Sequence, residues 1–182
     1  GGVLVDADVS VVALRAPAPH PAGVCRQWYA LQQPEWPGVA AARAYLSERL
    51  GELARTVPLG STAVLGFSQG AAMALDVATG GWAGADPATT EPSAAGLPLA
   101  GLVACSGYPH PGWQPIASPP VLITHGAEDP VVPYAASASL EEALRRAGGR
   151  VRRVSFPGGH GIDPSLIGVI REFLDTCWAS AD

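Results

Sequence analysis

The feature that most constrains this chain is the run Thr62-Ala63-Val64-Leu65-Gly66-Phe67-Ser68-Gln69-Gly70-Ala71-Ala72-Met73-Ala74-Leu75. It joins a short apolar strand to an Ala-rich helix through a Gly-Xaa-Ser-Xaa-Gly turn. Such a turn holds a serine hydroxyl clear of the backbone at some steric cost, and Gly66 and Gly70 are expected to supply the room. The helix begins just after Ser68. Its unbonded N–H groups and positive dipole end therefore face the point where charge would develop on an attacked carbonyl oxygen. A plain helix-capping serine satisfies the pentapeptide equally well, so its meaning depends on partners elsewhere in the chain.

Two later segments carry suitable partners. Pro119-Pro120-Val121-Leu122-Ile123-Thr124-His125-Gly126-Ala127-Glu128-Asp129-Pro130 reads as a buried strand running into a turn. Asp129 is then placed beyond the strand's carboxyl end, where functional side chains of open parallel sheets collect. Glu128 is the weaker candidate for the same role. His160 stands among three glycines in Phe156-Pro157-Gly158-Gly159-His160-Gly161-Ile162-Asp163-Pro164, a loop suited to presenting an imidazole. The order Ser68, Asp129, His160 is that of hydrolases built on a mostly parallel sheet.

These segments resemble the three signature segments of the phospholipase/carboxylesterase family of α/β-hydrolases, which includes acyl-protein thioesterases. The stretch Val9 to Tyr29, with Arg15-Ala16-Pro17 and Arg26-Gln27-Trp28-Tyr29, is similar to the part that precedes the substrate pocket in that family. The resemblance implies Ser68 as nucleophile, His160 as general base and acid, Asp129 as its orienter, and the Gln69 backbone N–H as an oxyanion donor. It implies a small-molecule ester or thioester substrate, lipid-like acyl groups included. Two departures stand out: no strand ending in His-Gly-Xaa-Gly precedes Val9, and Ala30 stands where relatives tend to carry an acid. The expectation is accordingly an N-terminally shortened α/β-hydrolase. A weakly active or inactive hydrolase-like binding protein, or a fragment of a hydrolase, is the alternative, since one lost oxyanion donor costs about 3 to 4 kcal/mol of transition-state stabilisation. A lactone hydrolase would favour cysteine at the elbow, against Ser68.

Apolar runs at Val9–Leu14, Thr62–Gly66, Gly101–Cys105, Pro120–Thr124 and Val151–Phe156 predict strands buried on both faces. Stripes at helical spacing lie between them: Leu46, Leu50, Leu53 and Val57; Leu140, Ala143, Leu144 and Ala147; Leu166, Ile170, Phe173, Leu174 and Cys177. This alternation predicts an α/β fold, a mostly parallel sheet with helices on both faces. With 182 residues and 48% hydrophobic side chains, residues 1–182 are expected to form one domain, and residues 80–98 an exposed loop insertion.

The irregular Pro17–Pro37 stretch is expected to wall the site, with Trp28 and Tyr29 as the substrate-binding side of an acyl pocket. Ser106 after the Gly101–Cys105 strand reads as a strand-end turn or, less readily, as part of the site floor. The charge of −5 has no basic face and every cation is arginine, which argues against nucleic acid as a partner. Arg145, Arg146, Arg150, Arg152 and Arg153 read as a solvated helix end and strand edge. His20, His110 and His125 look scattered over separate loops and lack ligand-pair spacing, so no metal is expected, and no nucleotide fingerprint implies a cofactor. Three widely spaced cysteines, no export signal and no membrane-length apolar run make the cytoplasm the default location.

Overall fold

Alternation along two buried strands decides which helix covers which face of the sheet. The computed structural model describes residues 9–23, 25–31, 36–80, 85–86, 89–92 and 96–180. In chain order the elements are β1 (Ala18–Pro19), β2 (Arg26–Gln27), α1 (Val39–Ala54), β3 (Ala63–Phe67), α2 (Gln69–Thr79), β4 (Ala85–Asp86), β5 (Thr89–Pro92), β6 (Gly101–Cys105), β7 (Val121–Gly126), α3 (Ala135–Arg146), β8 (Val151–Phe156) and α4 (Leu166–Ala179). Strands β3, β6, β7 and β8 pair side by side in that order, all parallel. The result is a parallel sheet with helices on both faces.

Every residue of β6 and β7 is buried. On one face Leu102, Ala104, Val121 and Ile123 pack against Ala71, Ala74, Leu75 and Ala78 of α2 and Leu140 and Leu144 of α3. On the other, Val103, Cys105 and Leu122 pack against Leu166 and Ile170 of α4. Such double coverage suits the continuous apolar runs of parallel strands. The small side chains of α2 leave room for a further layer: Val39, Ala42, Leu46 and Leu50 of α1 lie on Met73 and Val77, so α1 rides on α2.

Strand β3 differs from its neighbours. It occupies the edge of the described sheet. Leu65 and Phe67, on the α4 face by register with Val103 and Cys105, are accordingly 43% and 37% exposed.

Several expectations need correction. Residues 9–16 form no regular element, and Val11 and Val12 are exposed. β-Branched residues favour a pleated surface, but a strand exists only through a paired ladder, and this run has none among the described residues. Helix α1 ends at Ala54, short of Val57, which is exposed. The cause is local: Pro58 disfavours the helical conformation at residue 57. Within the expected 80–98 loop, 81–84, 87–88 and 93–95 lie outside the described residues. Strands β4 and β5 inside it form a short antiparallel pair, and Gly80 at its start is buried and bridged to Pro115.

The arginine group lies at the end of α3 and along edge strand β8, where Arg145 and Arg153 meet Glu141, Arg146 meets Glu142 and Arg152 meets Glu172. No helix among the described residues is long and apolar enough to cross a membrane.

Candidate active site

One residue separates β3 from α2, and that residue is Ser68, with φ +52° and ψ −120°. This backbone region is sparsely used by residues with a side chain and persists only where the surroundings over-determine it. Here they do. The Ser68 N–H donates to the Cys105 carbonyl at 2.8 Å, and its own carbonyl accepts from the N–H groups of Ala71 and Ala72 at 3.0 and 3.1 Å. Gly66 makes the turn possible, because a Cβ there would stand 2.4 Å from the Gly70 carbonyl oxygen and 2.6 Å from the Ala71 nitrogen. Gly70 is less constrained than expected: a Cβ there would meet only Trp28 Nε1, at 3.8 Å.

The parallel sheet brings the loops after β7 and β8 to the same rim. The Ala127 N–H donates to the Phe156 carbonyl and the Glu128 N–H to the Gly158 carbonyl, both at 2.9 Å, so the two loops are laced together. His160 Nδ1 lies 2.7 Å from Asp129 Oδ2, and His160 Nε2 lies 2.8 Å from Ser68 Oγ. An ionised carboxylate only accepts, which puts the proton on Nδ1 and leaves Nε2 to accept from the serine hydroxyl. The ring of Phe67 packs beside that of His160, centroids 4.9 Å apart.

The other oxygen of Asp129 accepts from the N–H groups of Val131 and Val132 at 2.8 and 2.9 Å. Burial alone would raise this carboxyl, whose side chain is fully covered. The Val132 and Val131 N–H groups and the His160 ring outweigh it and hold the group down to about 2. Glu128, the weaker candidate, is exposed and outside the chain of contacts.

Gln69 contributes twice. As the first residue of α2 its N–H lacks an intrahelical acceptor by position, which makes it available to an oxyanion beside Ser68. Its carboxamide reaches across to the segment after β2: Oε1 accepts from the Trp28 N–H at 2.7 Å, and Nε2 donates to the Tyr29 carbonyl at 2.8 Å. The two aromatics expected to line a pocket are therefore tied to the elbow, but they part company there. Trp28 stays half-buried near Gly70, whereas Tyr29 is 3% exposed, stacked on Trp36, with its hydroxyl bonded to Tyr108 and His110. Tyr29 is thus buried and, contrary to expectation, offers no face to a substrate.

Behind Tyr29 lies a buried polar network that sequence reasoning missed. His110 Nε2 meets the Tyr29 hydroxyl at 2.7 Å, and its Nδ1 meets Asp76 Oδ2, also at 2.7 Å. Arg43 donates to the same carboxylate oxygen from Nε and a terminal nitrogen, at 3.1 and 2.6 Å. Burial opposes ionisation of Asp76, yet His110 and Arg43 hold its carboxyl below the usual carboxylate range. An acid inside the Ala-rich stretch of α2 was the available signal, since a charge on an otherwise apolar helix needs a partner.

The remaining singled-out residues do not gather. His125 lies within β7, not on a loop, and is fully buried. His20 is placed near the β1–β2 hairpin, where its Nδ1 accepts from the Ala22 N–H. Ser106 is buried with φ +48°, its N–H donating to the Thr124 carbonyl, so its hydroxyl faces the interior and not a substrate cleft.

A parallel sheet bearing a serine on a strained strand-to-helix turn, with imidazole and carboxylate on the loops beyond two other strand ends, defines the α/β-hydrolase class. Within that class the sequence pattern of the phospholipase/carboxylesterase family matches residues 9–178, and the chain belongs to that family. Acyl-protein thioesterase 1 of Neurospora crassa is 27% identical over 150 residues, an alignment covering 75% of this chain and 55% of the relative. The chain thus spans little more than half of that relative's length. Among solved structures, esterase PE8 superposes with a TM-score of 0.72 at 24% identity, covering 90% of this chain and 76% of that one. A carboxylesterase from Mesorhizobium loti gives 0.67 at 20% identity, with 88% and 73% covered. At these identities the two structures attest the fold.

Proposed function

We propose that the chain is a serine hydrolase acting on carboxylic esters or thioesters through Ser68, His160 and Asp129. The observation that carries this reading is the unbroken chain of contacts from Asp129 through His160 to Ser68, at 2.7 and 2.8 Å, on a serine held in a strained turn. In the first step His160 Nε2 takes the hydroxyl proton as Ser68 Oγ bonds to the substrate carbonyl carbon. The carbonyl oxygen gains the negative charge and faces the Gln69 N–H. Collapse of this intermediate breaks the bond to the alcohol or thiol, which leaves with the proton from His160. Water then repeats both transfers on the acyl-enzyme and frees the acid.

Asp129 stays anionic throughout, steering the imidazole and balancing its charge. Trp28, half-buried beside the elbow, is the side chain placed to border the acyl group. The thioester half of the substrate class rests on the kinship with an acyl-protein thioesterase.

The test is covalent labelling with a fluorophosphonate together with hydrolysis of a short p-nitrophenyl ester. The chain is expected to label and turn over, and Ser68→Ala to do neither. Labelling that survives Ser68→Ala places the nucleophile elsewhere; a chain that neither labels nor hydrolyses is a non-catalytic relative.

A further inference from the structure

The end of β7 holds a group that the proposed reaction does not use. His125 is fully buried, and its Nδ1 has no hydrogen-bond partner. Its Nε2 lies 3.0 Å from the Val132 carbonyl oxygen and 3.4 Å from Asp129 Oδ2. A buried polar atom left unpaired costs free energy, so such an atom calls for a physical reason.

The acceptors supply it. A carbonyl oxygen only accepts, so Nε2 must carry the proton, and in the neutral ring Nδ1 is then a bare lone pair. The Nε2–H of His125 is therefore aimed at the Val132 carbonyl. The ring of Tyr134 stands edge-on to the imidazole, centroids 5.8 Å apart at 85°.

Val132 is the link. Its N–H donates to Asp129 Oδ1, while its carbonyl accepts from His125. His125 thus pins to β7 the same residue that holds the carboxylate, and its Nε2 stands 3.4 Å from Oδ2, the oxygen facing His160.

We infer that His125 is a positioning residue for Asp129. It fixes the 129–132 turn through Val132 and orients the carboxylate toward His160. The inference rests on the serine-hydrolase reading of Ser68, Asp129 and His160, and adds to it a fourth side chain that touches neither substrate nor nucleophile.

The experiment compares three variants with the wild type: His125→Leu, His125→Gln and His125→Asn. A glutamine can place an N–H where Nε2 stands; an asparagine, one methylene shorter, cannot. The readouts are p-nitrophenyl ester kinetics, the rate of fluorophosphonate labelling, the melting temperature, and the imidazole 15N spectrum.

His125→Leu is expected to lower kcat and the labelling rate by a few-fold to about tenfold, the scale of the neutral hydrogen bond to Val132 that it removes, with KM unchanged. His125→Gln should recover most of the rate and His125→Asn should not, a comparison that decides the matter even if the leucine variant fails to fold. Equal rates for the glutamine and asparagine variants overturn the inference. So does a wild-type spectrum showing the Nδ1–H tautomer, which could not donate to Val132. A wild type that does not label instead counts against the hydrolase reading, and the tautomer measurement still judges His125 by itself.

Discussion

Gly126, the last residue of β7, lies directly beneath Gly159: a Cβ on Gly126 would stand 2.2 Å from the Gly159 carbonyl oxygen and 2.4 Å from that of Gly158. Both atoms are backbone, so neither can swing aside as a side-chain tip would. Gly126→Ala must therefore displace the loop that carries His160. A displacement near 1 Å costs on the order of a hundredfold in rate where alignment matters. We expect ester hydrolysis to fall by at least that factor and the melting temperature to drop by several degrees, as overpacking of about 1–3 kcal/mol implies. Normal turnover in a folded Gly126→Ala chain would show that the 158–160 loop can shift without harm.

The two glycines of the elbow should respond unequally. Gly66→Ala sets a methyl group 2.4 Å from the backbone of the following helix, whereas Gly70→Ala meets only the Trp28 indole nitrogen at ordinary contact distance. The first variant is expected to fold poorly or to lose fluorophosphonate labelling. The second should keep its stability, since an alanine in an early helical turn is favourable by about 1 kcal/mol over glycine. Parallel thermal melts and labelling assays check this, and equal damage at both positions would contradict it.

That asymmetry marks the boundary of what the sequence discloses. Ser68, Asp129 and His160 were legible because each sits in a punctuated loop at the end of an apolar run, and a parallel sheet carries such ends to one rim. The helical stripes of α3 and α4 were legible for the same local reason. Contacts between distant segments were not. Nothing in Trp28 or Tyr29 discloses that a glutamine some forty positions on will tie down their backbone, and the pairing of Asp76 with His110 and Arg43 spans thirty-odd positions each way. The run Val9–Leu14 misled because its β-branched residues satisfy a local preference while strand pairing is decided elsewhere in the fold.

The carboxamide of Gln69 gives a test that separates binding from chemistry. Gln69→Ala keeps the backbone N–H beside Ser68 but removes both hydrogen bonds to the Trp28–Tyr29 segment. With the segment proposed to border the acyl group released, KM should rise several-fold while kcat changes little, the pattern of lost uniform binding. Stability should fall by about 1–2 kcal/mol, because the Trp28 N–H and Tyr29 carbonyl lose their partners. Ester kinetics across a range of acyl lengths measure the split. A fall in kcat alone would instead assign the side chain to the oxyanion site.

The buried carboxylate of Asp129 predicts a specific acid limb of stability. Its folded-state value, about 2, lies below the ordinary 3.8 because N–H donors from Val132, His160 and Val131 outweigh the burial that opposes its charge. A depressed acid binds its proton more weakly in the folded chain than in the unfolded one. Its contribution is therefore present above the unfolded value, and it is lost as pH falls from about 4 through 2. At neutral pH the difference corresponds to about 2 kcal/mol, at 1.36 kcal/mol per pH step. Urea titrations of the wild type and Asp129→Asn between pH 7 and 2 should show a stability gap of that order at the upper end, closing below pH 4. Because an asparagine amide can hold His160 in the wrong tautomer, the same variant should retain its fold yet lose about four orders of magnitude in kcat. A stability gap that stays constant down to pH 2 would mean that the carboxylate is not held anionic by these donors, and that the orientation of His160 has another source.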